Sequence, residues 1–366
     1  NVTLNGKLTV VSGSSFTLQS NANLIQTTNE ANSGSITVLR DSAPIKRLDH
    51  TLWCSPVTGT QTLQQFSPNT LSNRFYVYNI LNNTYTATPA TGYFPLAKAI
   101  AVRAPNNWPT IESPWTGSFT GIPNNGNIIT PLEMTGEAYN AIGNPYPSVI
   151  SGTELVNANS TMITGTLYFY AHTLAMDATG VFPSGTNYAV WNPGTGGTPA
   201  TAGGGGTGSS PITPNGIIQT GQGFLVKATA QGNMVFTNSI RKNSIGNPFF
   251  KQITLKSNTA EPDIERHRIW LSLSNSNAAL NTILVGYAAG ATSGIDYGYD
   301  GLKFGNSGSE LYSVIAGDAY SIQGRALPFK VDDTVPLGFT AVESGTFTIS
   351  VYKTDGLFTG DQDILI

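Results

Sequence analysis

Short runs in which apolar and polar residues alternate recur along almost the whole chain. At 346–351, three apolar residues alternate with Thr and Ser, and residues 74–79 follow the same two-residue period. Side chains of a strand point alternately to its two faces, so this period predicts strands with one buried face. Further strands are predicted at 8–11, 16–19, 36–39, 167–170, 224–228, 234–237, 269–273 and 283–287.

Helix signals are rare. A short helix is predicted only at 151–158, where Thr153 and Glu154 suit a first turn and Leu155 and Val156 supply an apolar side. Gly and Pro punctuate the strands, and the crossover helices that parallel βαβ units need are missing. The pattern therefore predicts an all-β protein built of jelly-roll-like β-sandwiches.

Changes in composition divide the chain into three predicted regions. Residues 1–40 carry closely spaced short strands with Ser and Asn turns, and they resemble the last coils of a β-solenoid or an edge hairpin set. Residues 41–245 are predicted to form a first β-sandwich, in which the Gly-rich stretch 194–210 is a long flexible loop. Residues 246–366 are predicted to form a second β-sandwich, and the strand-like ending at Ile366 predicts that it is truncated at its C-terminal end.

The surface is predicted to be polar but nearly uncharged. Charged residues make up 11% of the chain, against roughly 25% in ordinary soluble domains. The 18 basic and 21 acidic residues give a formal net charge of -3, which predicts no nucleic-acid partner. No run approaches the roughly 20 apolar residues of a membrane-spanning helix, so no transmembrane segment is predicted.

Residues that could carry catalysis are sparse and isolated. None of His50, His172 and His267 has a second histidine within four positions, which argues against a histidine-based zinc site. The chain has no Gly-x-Ser-x-Gly motif, and its one cysteine, Cys54, is predicted to be a small buried residue. We therefore expect no catalytic residue and no enzyme activity, although two distant carboxylates of a hydrolase remain an open alternative.

The best metal-ligand candidates are acidic. They are Asp296 and Asp300 in one polar segment, the pair Asp332 and Asp333, and Asp361 and Asp363 near the last residue of the chain. Carboxylate oxygens are the ligands that calcium prefers, so calcium is the one cofactor considered. The spacing does not match a complete EF-hand loop, and Asp-Gly turns also occur without metal, so a purely structural role remains the alternative.

Aromatic residues beside Pro, Asn or Gly could contact a glycan. The candidates are Trp108, Trp115, Trp191 and Tyr93, because their neighbours are typical of exposed loops. Packing in a core is the alternative for each of them. Two further tryptophans, Trp53 and Trp270, lie in strand-like runs and are predicted to be core residues.

Several longer sequence motifs occur together along the chain. They include Trp-Cys-Ser-Pro-Val at 53–57, Gly-Asn-Pro-Tyr-Pro-Ser at 143–148, Gly-Gln-Gly-Phe at 221–224, Gln-Gly-Arg-Ala-Leu-Pro-Phe at 323–329 and Val-Pro-Leu-Gly-Phe at 335–339. In these motifs the chain resembles the large surface proteins of Bacteroidota, especially flavobacterial ones, that the type IX secretion system exports. The resemblance implies an extracellular location on the bacterial cell surface, shortly before a cleavable C-terminal sorting domain.

These observations lead to two functional hypotheses. The first is a non-enzymatic surface protein, an adhesin module or a subunit of an extracellular fibre or sheath, that assembles with other copies of itself through strand edges. The second is a carbohydrate-binding module of a larger secreted surface enzyme, with surface polysaccharide as its partner. Exposure of the loop tryptophans on one face would favour the second hypothesis.

Overall fold

The computed structural model describes residues 1–172, 187–200, 212–243, 264–276, 279–305, 308–360 and 362–366. Strand accounts for 47% of the structure and helix for 6%, so the predicted all-β class is confirmed. Within the described residues, no helix has both the length and the apolar character needed to cross a membrane.

The strands of the first 160 residues are mostly short. They are β1 (Val2–Leu4), β2 (Thr17–Leu18), β3 (Leu24–Gln26), β4 (Ile36–Ile45), β5 (His50–Trp53), β6 (Val57–Thr58), β7 (Phe75–Asn79), β8 (Thr84–Ala87), β9 (Ile100–Arg103), β10 (Ser113–Pro123), β11 (Ile128–Leu132), β12 (Tyr139–Gly143) and β13 (Val149–Ser151).

The later strands include the longest of the second half, β21 and β22. They are β14 (Ile163–Tyr170), β15 (Tyr188–Asn192), β16 (Gly196–Thr198), β17 (Ile217–Ile218), β18 (Gly223–Ala228), β19 (Gly232–Phe236), β20 (Arg241–Lys242), β21 (Arg266–Asn275), β22 (Ala279–Ala288), β23 (Gly301–Leu302), β24 (Glu310–Ile315), β25 (Asp318–Ala326), β26 (Leu337–Thr340) and β27 (Phe347–Asp355).

Two short α-helices interrupt the described strands. Helix α2 (Gly152–Ala158) begins where the sequence predicted, and the Ser151 hydroxyl caps it by accepting the Glu154 N–H. Helix α1 (Leu63–Phe66) was not predicted, although a capping box between Thr62 and Gln65 fixes its first turn. Single 3-10 turns occur at Asn238–Ile240 and Gly356–Thr359.

The chain forms two compact units, each assembled from separate segments. The first unit comprises Asn1–Ile163 and Ile217–Thr259, and the second comprises Thr164–Gly216 and Ala260–Ile366. The predicted domain boundaries at 40 and 245 stay a prediction, but the units group 164–216 with the C-terminal residues. Of the predicted Gly-rich loop 194–210, residues 196–198 form strand β16, whereas 201–210 lie outside the described residues.

The N-terminal strands stack as coils, in agreement with the predicted resemblance to a β-solenoid. Strand β1 pairs in parallel with β3, β2 pairs in parallel with β4, and a parallel bridge joins Thr9 to Ser33. The backbone N–H of Asn23 donates to the Oδ1 atom of Asn1, 22 residues earlier, at 2.9 Å. Parallel pairing at this spacing places one coil of chain directly on the next.

Two four-stranded sheets enclose one apolar core of the first unit. Their orders are β2-β4-β10-β6 and β5-β9-β7-β8. Alternate residues of β4 are buried, as the two-residue period predicts. The core includes Val38 of one sheet together with Trp53 and Phe75 of the other, so the two sheets share one apolar interior. The prediction that Trp53 is a core residue is confirmed.

A curled sheet dominates the second unit. Its order is β26-β24-β25-β22-β21-β27, and β23 pairs beside it with β25. Leu271, Leu273, Ile283 and Leu311 form its apolar interior. The rings of Phe339 in β26 and Phe347 in β27 lie 5.1 Å apart, so the two ends of the sheet approach each other at one point. Strands β14, β15 and β16 form a further antiparallel set in this unit.

The Gly-Asn-Pro-Tyr-Pro-Ser phrase at 143–148 forms a rigid corner in the first unit. The Asn144 amide donates to the carbonyl oxygens of Ser148 (2.7 Å) and Gln219 (3.0 Å), and the Tyr146 hydroxyl donates to the Gly126 carbonyl oxygen at 2.6 Å. A Cβ on Gly143 would lie 2.3 Å from the Cβ of Cys54, so only glycine fits beside this buried thiol.

One buried guanidinium joins this corner to three other segments. Arg241, only 5% exposed, donates to Ser148 Oγ (3.1 Å), Asn125 Oδ1 (2.9 Å) and Asn238 Oδ1 (2.9 Å), and to the carbonyl oxygen of Leu24. Its guanidinium also lies 4.8 Å from the centre of the Tyr146 ring. The N-terminal coils are thereby tied to the rest of the first unit.

We predict that Arg241→Met lowers the free energy of unfolding by about 3 kcal/mol, because several buried acceptors lose a charged donor at once. Lys7→Met, which removes an exposed cation, is the control and should change it by less than about 0.5 kcal/mol. Urea unfolding followed by tryptophan fluorescence measures both. Equal stability of the two variants would contradict the assigned role of Arg241.

Candidate functional site

A small surface cavity in the first unit carries the most exposed of the candidate aromatic residues. We call it the Tyr93 pocket. It has a volume of about 90 Å³, and it is lined by Ser55, Val57, Thr58, Gly59, Gln61, Tyr93, Phe94, Leu96 and Thr120. None of these residues is charged. Tyr93 is 54% exposed and Leu96 is exposed beside it, so the pocket has an apolar wall open to solvent.

Core packing positions this wall. Phe94 lies between the two exposed residues in sequence, and its ring is 5.0 Å from that of Phe66 and 5.5 Å from that of Phe119. Partial burial of Phe94 against the core anchors the segment, and the backbone of Tyr93 bridges to Thr62. The exposed position of Tyr93 therefore follows from the packing of its neighbour.

Hydrogen bonds fix the polar side of the pocket. The Gln61 side chain donates to the Ser118 carbonyl oxygen at 2.8 Å and accepts the Thr120 N–H at 3.0 Å. The Thr58 hydroxyl donates to Asn124 Oδ1 at 2.6 Å, which leaves its oxygen available as an acceptor. Sequence reasoning missed Thr58, Gln61 and Leu96, because they come from segments that only the fold brings together.

The three candidate tryptophans are placed differently from Tyr93. Trp191 is 4% exposed in a wholly buried strand, so the expectation that it is an exposed loop residue was wrong. Trp115 is half-buried, 5.6 Å from Trp53 between ring centres. The half-buried Trp108 donates its indole N–H towards the carbonyl oxygens of Ile45 and Ser113. These contacts give the three tryptophans packing roles.

The edge of the curled sheet is a second surface of interest. Strand β27 is nine residues long, and among the described residues its hydrogen-bonded neighbour is β21, on one side. Val351 is 44% exposed and Tyr352 is also exposed, although both lie within this strand. We call this surface the β27 edge. On its other side no described strand pairs with β27, and apolar side chains lie next to this open side.

The acidic candidates are occupied by backbone contacts where the structure describes them. Asp300 accepts the Asp296 N–H at 2.6 Å and the Gly324 N–H at 2.7 Å, and Asp296 accepts the Thr292 N–H at 2.5 Å. Asp363 is exposed, and Asp361 lies outside the described residues. In the described part of the chain, no three His, Cys, Asp or Glu residues group as metal ligands do. Calcium binding stays a prediction.

The remaining candidate groups have structural surroundings. His50 is buried, with its ring 5.3 Å from that of Tyr76, and the Nδ1 atom of His267 accepts the Leu357 N–H at 3.2 Å. The prediction that Cys54 is a small buried residue is confirmed. Burial raises the pKa of its thiol, which keeps the sulfur protonated and unreactive at neutral pH.

Within the described residues, the all-β fold presents the neutral Tyr93 pocket and the β27 edge as its surfaces of interest. Comparison with protein families places the chain in a family described as a domain of unknown function, DUF8693, whose profile matches residues 1–366. The chain therefore belongs to that family. No curated protein and no solved structure matches the chain.

Burial of Asp300 leads to a prediction about pH. Desolvation raises the pKa of its carboxyl group to about 6, although two backbone N–H groups and Arg325 favour the charged form. Because the folded pKa is raised, the stability from this group is complete below the unfolded value near 3.8 and is lost as pH rises through about 6.

We predict that the free energy of unfolding falls by about 2 kcal/mol between pH 4 and pH 7 through this group. The fall should be absent in Asp300→Asn and preserved in Asp318→Asn, which alters an exposed carboxylate. Urea unfolding at a series of pH values measures it. Parallel pH curves for wild type and Asp300→Asn would refute the assignment.

Proposed function

We propose that this protein is a non-enzymatic extracellular surface protein, an adhesin module or a subunit of a fibre or sheath, that assembles with other copies through strand edges. The observation that carries the proposal is the β27 edge. A nine-residue strand with exposed apolar residues is a template for an added strand.

The two end strands of the curled sheet differ in how well they are protected. Strand β26 has four residues and directly follows Pro336, and both features limit pairing with a further strand. Strand β27 is more than twice as long and contains no proline. Its one lysine, Lys353, lies over the ring of Trp270 at 4.8 Å. This asymmetry favours β27 as the edge used in assembly.

The surface chemistry fits the same proposal. Only 11% of the residues are charged, so copies can approach closely with little charge repulsion or desolvation of ions. Open assemblies form when the two contacting surfaces of each copy differ and the contact repeats. We place this assembly on the outer surface of a bacterial cell, as the resemblance to type IX secreted proteins implies.

A second candidate function is a carbohydrate-binding module of a larger secreted surface enzyme, with surface polysaccharide as the partner. The specific observation in its favour is the Tyr93 pocket, where an exposed aromatic ring stands beside neutral hydroxyl groups. Packing of Trp108, Trp115 and Trp191 removes the other three aromatic candidates from this argument.

Assembly through the β27 edge predicts a specific effect of charge. Val351→Lys should reduce the polymer fraction at least about tenfold, because a lysine on an edge strand opposes strand addition. Val77→Lys is the matched control: Val77 is 37% exposed but lies in β7, which has a neighbour on each side. Sedimentation and negative-stain electron microscopy of concentrated protein measure polymer formation.

The controls separate edge pairing from a general effect of charge. Val77→Lys should polymerise like the wild type, whereas Val351→Lys should stay monomeric with an unchanged melting temperature. If the wild type is monomeric at every concentration tested, or if both variants polymerise equally, assembly through the β27 edge is wrong.

A further inference from the structure

We propose that the Tyr93 pocket is a subsite for one neutral sugar ring of a polysaccharide, with Tyr93 as the stacking platform. The inference rests on the second candidate function and names its ligand class and its site. It is independent of the β27 edge, which lies in the other compact unit.

The size of the pocket decides between an enclosed small molecule and a surface polymer. Sites that enclose a small molecule usually have volumes of about 300 to 1,000 Å³. At about 90 Å³ this cavity admits only the edge of one ring. A ligand that enters so little must gain its remaining contacts along the surface, as a polymer lying across the site does.

The lining chemistry selects a neutral ring. A charged ligand would lose hydration on entry and would find no opposite charge among the lining residues. A pyranose has apolar C–H groups on its faces and hydroxyl groups around its rim. The C–H groups can pack on the exposed Tyr93 ring and the side chain of Leu96. The rim hydroxyl groups can donate to the hydroxyl oxygens of Thr58 and Thr120.

The pocket is held in its shape by fixed backbone. Ala97, which follows Leu96, has a φ of 56°, a left-handed conformation that costs energy for a residue other than glycine. The Gly143 N–H donates to the Ala97 carbonyl oxygen at 3.1 Å, and the Leu63 N–H donates to that of Gly92 at 2.8 Å. Both ends of the segment that carries Tyr93 are therefore anchored, so little ordering is required when a ligand binds.

The test is affinity electrophoresis of the whole chain in native gels that contain one polysaccharide each. Neutral probes are a β-glucan, a mannan, a galactan and a xylan, and the acidic probes are polygalacturonate and dextran sulfate. We expect at least one neutral probe to retard the wild type. The acidic probes should cause no retardation in 0.5 M salt. At this ionic strength the Debye length is about 4 Å, so attraction between exposed charges is largely screened.

Three variants locate the binding. Tyr93→Ala should weaken retardation at least about tenfold, since it removes the stacking ring, while Tyr93→Phe should retain it. Tyr297→Ala is the matched control, because Tyr297 is 60% exposed and lies in the second unit; it should bind like the wild type. Thr58→Val, which removes one hydroxyl at similar volume, should weaken binding with the stacking ring still present.

Each other outcome overturns the inference. Retardation by neutral probes that is equal in the wild type and Tyr93→Ala would place the glycan site elsewhere and leave the carbohydrate-binding function standing. No retardation by any neutral probe would contradict both the sugar subsite at Tyr93 and the carbohydrate-binding function. Retardation by acidic probes alone would show the wrong ligand class. Thermal melting of Tyr93→Ala should match the wild type, which separates loss of binding from loss of fold.

Discussion

The buried guanidinium of Arg241 is the interaction on which the first unit depends. It donates to groups 217, 116 and 93 residues away in sequence, so its contacts exist only when these segments have all come together. Every acceptor is a neutral amide, hydroxyl or carbonyl oxygen. Burial therefore lowers the pKa of Arg241 to about 10, and the density of hydrogen bonds is what offsets the desolvation of its charge. Arg40, also buried, acts in the same way between Ser20, Asn21 and Gln219.

The hydrogen bonds of Arg241 and Arg40 hold the coils and the sheets of the first unit together, and this unit carries the Tyr93 pocket. The pocket segment is fixed by Phe94 in the shared core and by the corner at 143–148, which Arg241 holds. The β27 edge is built differently, from a curled sheet in the second unit whose last strand has a long side open among the described residues. The two proposed activities therefore use separate surfaces, and a nearly uncharged exterior suits both.

Patterns local in sequence were sufficient for the class of fold. The two-residue period predicts strands because the alternate residues of a strand share one face, and the burial of β4 follows it. In β27 the alternation ends at Ser350, and Val351 is exposed although the period predicts it to be buried. Glu154 in the first turn and the apolar side of Leu155 and Val156 predict α2 for the same local reason. A capping box at Thr62 and Gln65 was an equally local signal for α1. The close spacing of the N-terminal strands suggested solenoid coils or an edge hairpin set, and the parallel pairing of β1 with β3 favours the coils.

Contacts between distant segments could not be predicted in this way. Trp191 and Tyr93 have similar loop-like neighbours, yet one lies in a buried strand and the other on the surface, since burial depends on which strands pack nearby. Asp296 and Asp300 illustrate the same limit. Their spacing suited either a metal or a turn, and the backbone N–H groups that they accept are visible only in the fold.

The most direct test of the account is native-state hydrogen exchange on the whole chain. Because Arg241 joins the N-terminal coils to the corner at 143–148, both should open as one cooperative unit. Amides of Leu24–Gln26 should then be protected to within about tenfold of those in Tyr139–Gly143. Exchange of the coil amides more than about a hundredfold faster would mean that the coils open alone, and that Arg241 does not couple them to the unit.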